Sequence, residues 1–232
     1  MNKNSNIARL LASAAVAATA VMASNAVADN LVMNGGFENG DDASFWSNYS
    51  YKAAPVSPYL NEGQYSVAYN ANTTHPGFTA TAYSGTKAFY ANGSQTTLAS
   101  PWITEVEVME TGVYRFQAMI CSLVPTPSFG PPSLGFEISG DNGSTWTSLG
   151  TTPSLNNAQA GAWVGSFADY SISSVGYYMI RLRNLSSASS GNDFGLDDIY
   201  FGLASSAPSV PAPGAAALIG LAGVIGGRRR KA

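Results

Sequence analysis

An all-β sandwich is the fold that this sequence predicts, on three observations. Nine or ten short runs of alternating or β-branched and aromatic residues follow one another at close spacing. Turn formers (Gly, Asn, Ser, Thr and Pro) separate them. No stretch between residues 29 and 204 carries the 3.6-residue apolar repeat of a packed helix. The 232-residue chain is bracketed by two segments of different composition, which leaves roughly 175 residues, enough for one well-buried domain.

The N-terminal bracket is residues 1–28. Lys3 and Arg9 precede the apolar run Leu10 to Val21, and Ala26-Val27-Ala28 supplies a small-residue cleavage site before Asp29. That order is the pattern of a secretory signal peptide, so the chain is expected to be exported. Of the 11 Lys and Arg, six lie in the two brackets, leaving 5 basic against 14 acidic residues, a net charge of −9 for the mature region. Such a surface repels phosphate backbones and excludes nucleic acid as a partner, whereas it suits divalent cations. Cys121 is the single cysteine, so no intramolecular disulfide forms, and its place in the apolar-rich run 113–121 reads as a small core hydrophobe. The lone histidine, His75, sits in a polar Thr-Thr-His-Pro-Gly loop, away from any nucleophile pattern.

Taken in order, Asn30-Leu31-Val32-Met33-Asn34-Gly35-Gly36-Phe37-Glu38 reads as a short strand, a glycine turn, an aromatic anchor and an acid. Residues 41–100 are loop-rich, with strands expected over 65–69 and 87–91. Trp46, Tyr49, Tyr51 and Tyr59 form an aromatic group in sequence, a candidate surface for stacking on sugar rings, to be weighed against ordinary core and loop packing. Residues 98–109 and 113–123 read as a hairpin closed at Glu110-Thr111-Gly112. The proline-rich run 125–132 breaks regular pairing. Residues 134–139 and 145–149 flank Gly140-Asp141-Asn142-Gly143-Ser144, and further strands are expected over 163–170 and 177–183, the latter turning Tyr178, Ile180 and Leu182 to one face.

The last strand, Asn192 to Phe201, sets Asp197 and Asp198 inside an apolar and aromatic run. Strict alternation puts Asp197 on one face with Ile199 and Phe201, and Leu196, Asp198 and Tyr200 on the other. A carboxylate withdrawn from water needs a cation or several donors, so Asp197 is expected to hold either calcium or backbone N–H groups.

Three resemblances are carried by these residues. The opening run resembles the "N-L-[VL]-x-N-G-G-F-E" start, and Asn192 to Phe201 the closing "N-D-F-x-[IL]-D-D-[IV]" strand, of exported carbohydrate-binding-type sandwiches with the galactose-binding-like jelly-roll fold. That resemblance implies the jelly-roll topology for residues 29–204 and a structural calcium joining Glu38 to Asp197. Ser139, Asp141, Gly143, Thr145 and Trp146 resemble the Asp-box hairpin of sialidases. One copy does not make a propeller, so it is taken as a structural turn.

Beyond the domain, residues 205–213 form a Pro/Ser/Ala linker expected to stay extended, and residues 214–232 a tail. Val210, Pro211 and Pro213, the apolar run 212–227 and the cluster Arg228, Arg229, Arg230 and Lys231 resemble the PEP-CTERM sorting signal, with Ala212 where the family carries Glu. The resemblance implies an exosortase-type processing partner and transient membrane anchoring at the cell surface or extracellular matrix. About 16 residues at 1.5 Å rise reach roughly 24 Å, short of a ~30 Å bilayer core. An uncleaved single-span anchor is the alternative reading of this tail.

No nucleotide-binding glycine loop, metal-protease motif or serine–histidine–acid set is present in the sequence. The expectation is therefore a non-enzymatic exported protein that binds extracellular polysaccharide. A structural or adhesive matrix protein without a sugar site is the alternative, and a glycoside hydrolase using paired acids is the remaining one.

Overall fold

Alternation builds two layers. The computed structural model describes residues 30–153 and 155–210, so the signal-peptide segment and the sorting residues Pro211, Pro213, Arg228, Arg229 and Arg230 lie outside the described residues. Within them run β1 (Ser50–Tyr51), β2 (Gln64–Ala68), β3 (Ala88–Asn92), β4 (Trp102–Val108), β5 (Gly112–Ser122), β6 (Leu134–Ser139), β7 (Thr147–Thr151), β8 (Val164–Ile172), β9 (Gly176–Asn184) and β10 (Phe194–Leu203). One sheet has the order β1-β2-β3-β10-β5-β8 and the other β4-β9-β6-β7. All pairings are antiparallel except β1 with β2. The all-β jelly-roll sandwich expected from the sequence is what the chain forms.

The core between the sheets is built by residues two apart. Trp102, Val106 and Val108 of β4 and Ile180 and Leu182 of β9 meet Tyr114, Phe116, Ala118 and Ile120 of β5. Phe116 lies edge-on to Phe136 at 4.8 Å and 6.1 Å from Trp102, so aromatic rings bridge the layers. Cys121 points the other way, fully buried in a second cluster with Leu60, Phe78, Tyr90 and Leu123 on the outer face of the six-stranded sheet, and burial pushes its thiol up. That cluster exists because the β1–β2 link, through Leu60, and the excursion between β2 and β3, through Phe78, fold down over the sheet.

Four sequence expectations are corrected. Residues 98–123 do not form a hairpin: β4 and β5 belong to different sheets, and the link at Glu110-Thr111 turns the chain across the core. The apolar face of each strand is satisfied by the opposite layer, which alternation alone does not distinguish from lateral pairing. The opening run Asn30 to Glu38 is a series of turns, not a strand. It docks on β10 through Leu31 N–H to the Phe201 carbonyl at 2.8 Å and Ile199 N–H to the Gly35 carbonyl at 2.9 Å. The linker begins with a 3-10 turn at Ala204–Ser206 before becoming extended at Ala207.

The fourth correction concerns β10. Its register against β5 slips between Asp197 and Tyr200, and Asp198 adopts a left-handed φ of 44°. This bulge restarts the alternation, so Leu196 and Ile199 both face the core and Asp197 faces outward. Asp197 does not share a face with Ile199 and Phe201.

The bulge is held by the opening segment. Asn30 donates its side-chain amide to the Ile199 carbonyl at 2.9 Å and accepts from the Phe201 N–H at 3.0 Å, completing the ladder where β5 cannot. Gly35 lies flat against it, and a Cβ there would run into the Ile199 carbonyl. Gly35→Ala is therefore expected to destabilise the protein by about 1–3 kcal/mol, the usual cost of forced overpacking, read as a lower denaturant midpoint at unchanged slope. An unchanged midpoint would show that the docked segment adapts freely.

Candidate functional site

The bulge divides the outer face of the six-stranded sheet into two territories. Above it lies the covered cluster of Leu60, Phe78 and Tyr90, and below it a groove across β10 and β5, next to β8. The two acids of the sequence reading sit at the boundary, and both grip one loop, residues 83–87.

Asp197 is fully buried. Its Oδ2 accepts from Tyr83 N–H at 2.8 Å and Ser84 N–H at 3.2 Å, and its Oδ1 from Asp198 N–H at 2.8 Å. Burial outweighs those donors, and with the neighbouring Asp198 charge it pushes the carboxyl up to about 7. Glu38 is exposed and grips the other end of the loop, accepting from Thr86 N–H at 2.7 Å, Lys87 N–H at 2.9 Å and Thr86 Oγ1 at 2.6 Å. The Thr86 hydroxyl, ahead of the two backbone donors, holds its carboxyl below the usual range. The seam expected between the first and last segments is thus a clamp of two carboxylates on one loop.

Of the two partners left open for Asp197, the geometry matches N–H groups. Calcium takes six to eight oxygens. Here the acid oxygens already face N–H and O–H donors, Lys87 Nζ donates to the Glu38 carbonyl at 2.8 Å, and no three His, Cys, Asp or Glu side chains gather among the described residues. With these partners the two acids fit amide capping.

The four candidate aromatics do not form one surface. Trp46 is exposed beside β4, where its backbone bridges Ile103, in a cavity shared with Met33, Glu105 and Glu107. Tyr49 is buried against Phe194, its hydroxyl accepting from Ser94 N–H, and it offers no stacking face. Tyr51 leans on Tyr65, and Tyr59 lies edge-on to His75 at 4.9 Å near a loop-end cavity that holds buried Asp193. His75 itself stacks on Phe78 and accepts from Gly77 N–H, a local packing role.

The groove below the bulge was not anticipated from the sequence. A cavity of about 320 Å³ is lined by Tyr83, Gln117, Met119, Asp198 and Tyr200, together with Asn30 and Gly36. Gln117 is 4% exposed, and its Oε1 has no hydrogen-bond partner among the described residues. Asp198 Oδ1 accepts from the Ser84 hydroxyl at 2.6 Å. Across the β5–β8 register Gln117 is paired with Phe167, which is 48% exposed and carries the Arg115 guanidinium 3.8 Å from its ring centroid. Asp169 fixes Arg115 from both oxygens, at 2.8 and 2.9 Å. Tyr83 meets Trp163 edge-on at 6.2 Å at the upper rim. The outer face therefore carries an unpaired amide oxygen on β5 next to a half-exposed aromatic ring on β8 that is capped by a fixed cation. The sequence signal was Arg115 and Gln117 at alternate positions of an otherwise apolar strand.

The Asp-box turn is structural, as expected. Asp141 accepts from Thr145 N–H and Oγ1 and from Ser139 Oγ, Trp146 Nε1 donates to the Gly143 carbonyl, and Arg181 covers the Trp146 ring at 3.7 Å. Arg181 and Arg183 both pair with buried Glu137 on the outer face of the four-stranded sheet.

No protein-family model matches this chain, and no curated protein is similar to it. Among solved structures, a cyclase from Fischerella sp. TAU in complex with 4-(1H-indol-3-yl)butan-2-one superposes with a TM-score of 0.50 at 14% identity, over 73% of this chain and 94% of that one. A Family 16 carbohydrate-binding module gives 0.41 at 18% identity, over 74% and 99% of the two chains. The tandem CBM22-1-CBM22-2 domain of Paenibacillus barcinonensis Xyn10C gives 0.49 at 16%, over 82% and 50%. At these identities the cyclase likeness shows a shared fold and nothing of activity.

The acid clamp makes a pH prediction. Asp197 at about 7 and Asp193 at about 6 are both raised by burial above the ~3.9 of an unfolded Asp. The native state then holds protons that the unfolded chain has lost, so their stabilisation is full below about pH 4 and disappears as pH rises to about 7. His75, lowered by burial from 6.5, runs the opposite way up to that value, so the readout is a difference. The melting temperature of the wild type relative to Asp197→Asn should fall from pH 5 to pH 8, with EDTA changing neither. A pH-independent difference would contradict the buried protonated acid, and a calcium-dependent rise lost in Asp197→Asn would restore the metal.

Proposed function

We propose that this chain is an exported, non-enzymatic surface or extracellular-matrix protein whose sandwich binds polysaccharide along the groove of β10 and β5, next to β8. The observation that carries the reading is the unpaired Gln117 Oε1 in the cavity lined by Gln117, Met119 and Tyr200, with the half-exposed Phe167 at the paired position of the neighbouring strand. Sugar rings present an apolar face for stacking and equatorial hydroxyls for donation, and the groove supplies a partner for each. An orphaned buried acceptor gains a donor hydroxyl, which makes binding selective for polar ligands over purely apolar ones. The resemblance of the opening and closing runs to carbohydrate-binding-type sandwiches supports the same reading.

Binding, not hydrolysis, is the proposed activity. Glu38 and Asp197, the acids first considered as a pair, are turned onto the 83–87 loop, and Asp197 is fully buried. Export through the 1–28 segment, and sorting by an exosortase-type enzyme with transient membrane anchoring through the 214–232 tail, complete the proposal; both rest on sequence. Among the described residues no helix is long and apolar enough to cross a membrane.

The test is a glycan array followed by calorimetry on the full chain. Gln117→Ala and Phe167→Ala should each weaken binding by about tenfold, the equivalent of about 1.4 kcal/mol, with melting temperature nearly unchanged for Phe167→Ala. No reducing sugar should be released. A silent array would favour the structural or adhesive role, and turnover lost in Glu38→Gln would favour the hydrolase.

A further inference from the structure

The groove is partly filled by the chain's own C-terminal segment. After β10 ends at Leu203, the 3-10 turn Ala204–Ser206 reverses the chain, which then runs back over the sheet. Pro208 and Ser209 form one wall of the cavity that holds Gln117 and Met119. Val210 reaches Gly165 of β8, where a Cβ would collide with the Val210 side chain and lie 3.2 Å from Met119 Sδ. Gly165 thus leaves the seat that Val210 takes, directly beside the strand position that bears Phe167.

The chemistry of the strap matches that of the ligand. A prolyl ring offers a flat apolar face and the following serine a hydroxyl, so Pro208-Ser209 presents to the groove the same pairing of surfaces that a sugar ring does. Yet the strap is lightly held: Pro208 and Ser209 are exposed, and among the described residues its backbone makes one hydrogen bond, Ala207 N–H to the Ala204 carbonyl at 3.4 Å. Gln117 Oε1 stays unpaired beneath it, so the strap covers the site without satisfying it. A ligand that donates to Gln117 gains what the strap does not supply.

We propose that residues 207–210 act as a self-ligand that competes with polysaccharide for this groove, so that affinity is set by release of the segment leading into the C-terminal tail. This rests on the polysaccharide reading of the groove. The observed affinity is then the intrinsic affinity reduced by the fraction of molecules with the strap lifted. Anything that draws the tail away, whether anchoring at a surface or cleavage beyond Val210, opens the site.

The test locks and loosens the strap in the full chain. A Cβ at Gly165 would lie 3.3 Å from Val210 Cβ, close to the spacing of a disulfide, so Gly165→Cys with Val210→Cys gives a redox-controlled latch, with the native Cys121 buried out of reach. With xylohexaose and cellohexaose as probes, the oxidised form should bind at least about tenfold more weakly than the same protein reduced, and Val210→Gly should bind about threefold or more tighter than wild type. Equal affinities for the oxidised and reduced forms, with binding measurable in both, would overturn the strap and leave the polysaccharide site standing. Absence of binding in every form, including Val210→Gly, would overturn the polysaccharide reading and the strap with it.

Discussion

One bulge in β10 sets the geometry of the whole outer face. Had the last strand kept strict alternation, Asp197 would point into the aromatic core between the sheets, where no donors wait for it. The extra residue at Asp198, held at a left-handed φ, turns Asp197 outward and still returns Ile199 and Phe201 to the core. A left-handed non-glycine residue costs of order 1 kcal/mol or more, and it persists where the surroundings over-determine it. Here Asn30 and the Gly35 carbonyl bind the bulge from one side, and the 83–87 loop binds Asp197 from the other.

That arrangement explains why two loops that are remote in sequence share one sheet face. The excursion between β2 and β3 is pinned at its return by Asp197 and Glu38, and it seals the upper half of the face over Phe78, Tyr90 and Cys121. The lower half is closed by no such excursion. There the sheet carries polar and aromatic side chains, with Arg115 paired to Asp169, the Tyr200 hydroxyl donating to the Leu203 carbonyl and Phe167 half exposed, and Gln117 Oε1 is left without a partner among the described residues. The division between a sealed half and a binding half therefore falls at the bulge, and Asp198, Tyr83 and Gly36 stand on the dividing line as groove walls.

Much of the architecture was legible because strand patterns are local. β6, β8, β9 and the Asp-box turn lie within a few residues of where alternation and turn chemistry put them, and the burial of Asp197 followed from its apolar neighbours. The face on which Asp197 lies was not legible, since a bulge changes parity without changing composition. Pairing was likewise hidden: the link at Glu110-Thr111 serves a hairpin or a layer crossing equally well, and the aromatic core decides between them. The groove was obscured for a related reason. Gln117 and Phe167 are 50 residues apart and meet through the β5–β8 register, whereas Trp46, Tyr49, Tyr51 and Tyr59 are close in sequence and diverge in space.

The central claim is that ligand binds on the outer face of the six-stranded sheet, below the β10 bulge. A crystal structure of the full chain with a bound oligosaccharide tests it most directly. The account predicts sugar over Gln117 and Phe167, a hydroxyl donating to Gln117 Oε1, and residues 207–210 moved off Gly165. Sugar bound instead at the loop end beside Tyr59 and His75, or against Trp46 at the β4 edge, with the strap in place, would contradict it.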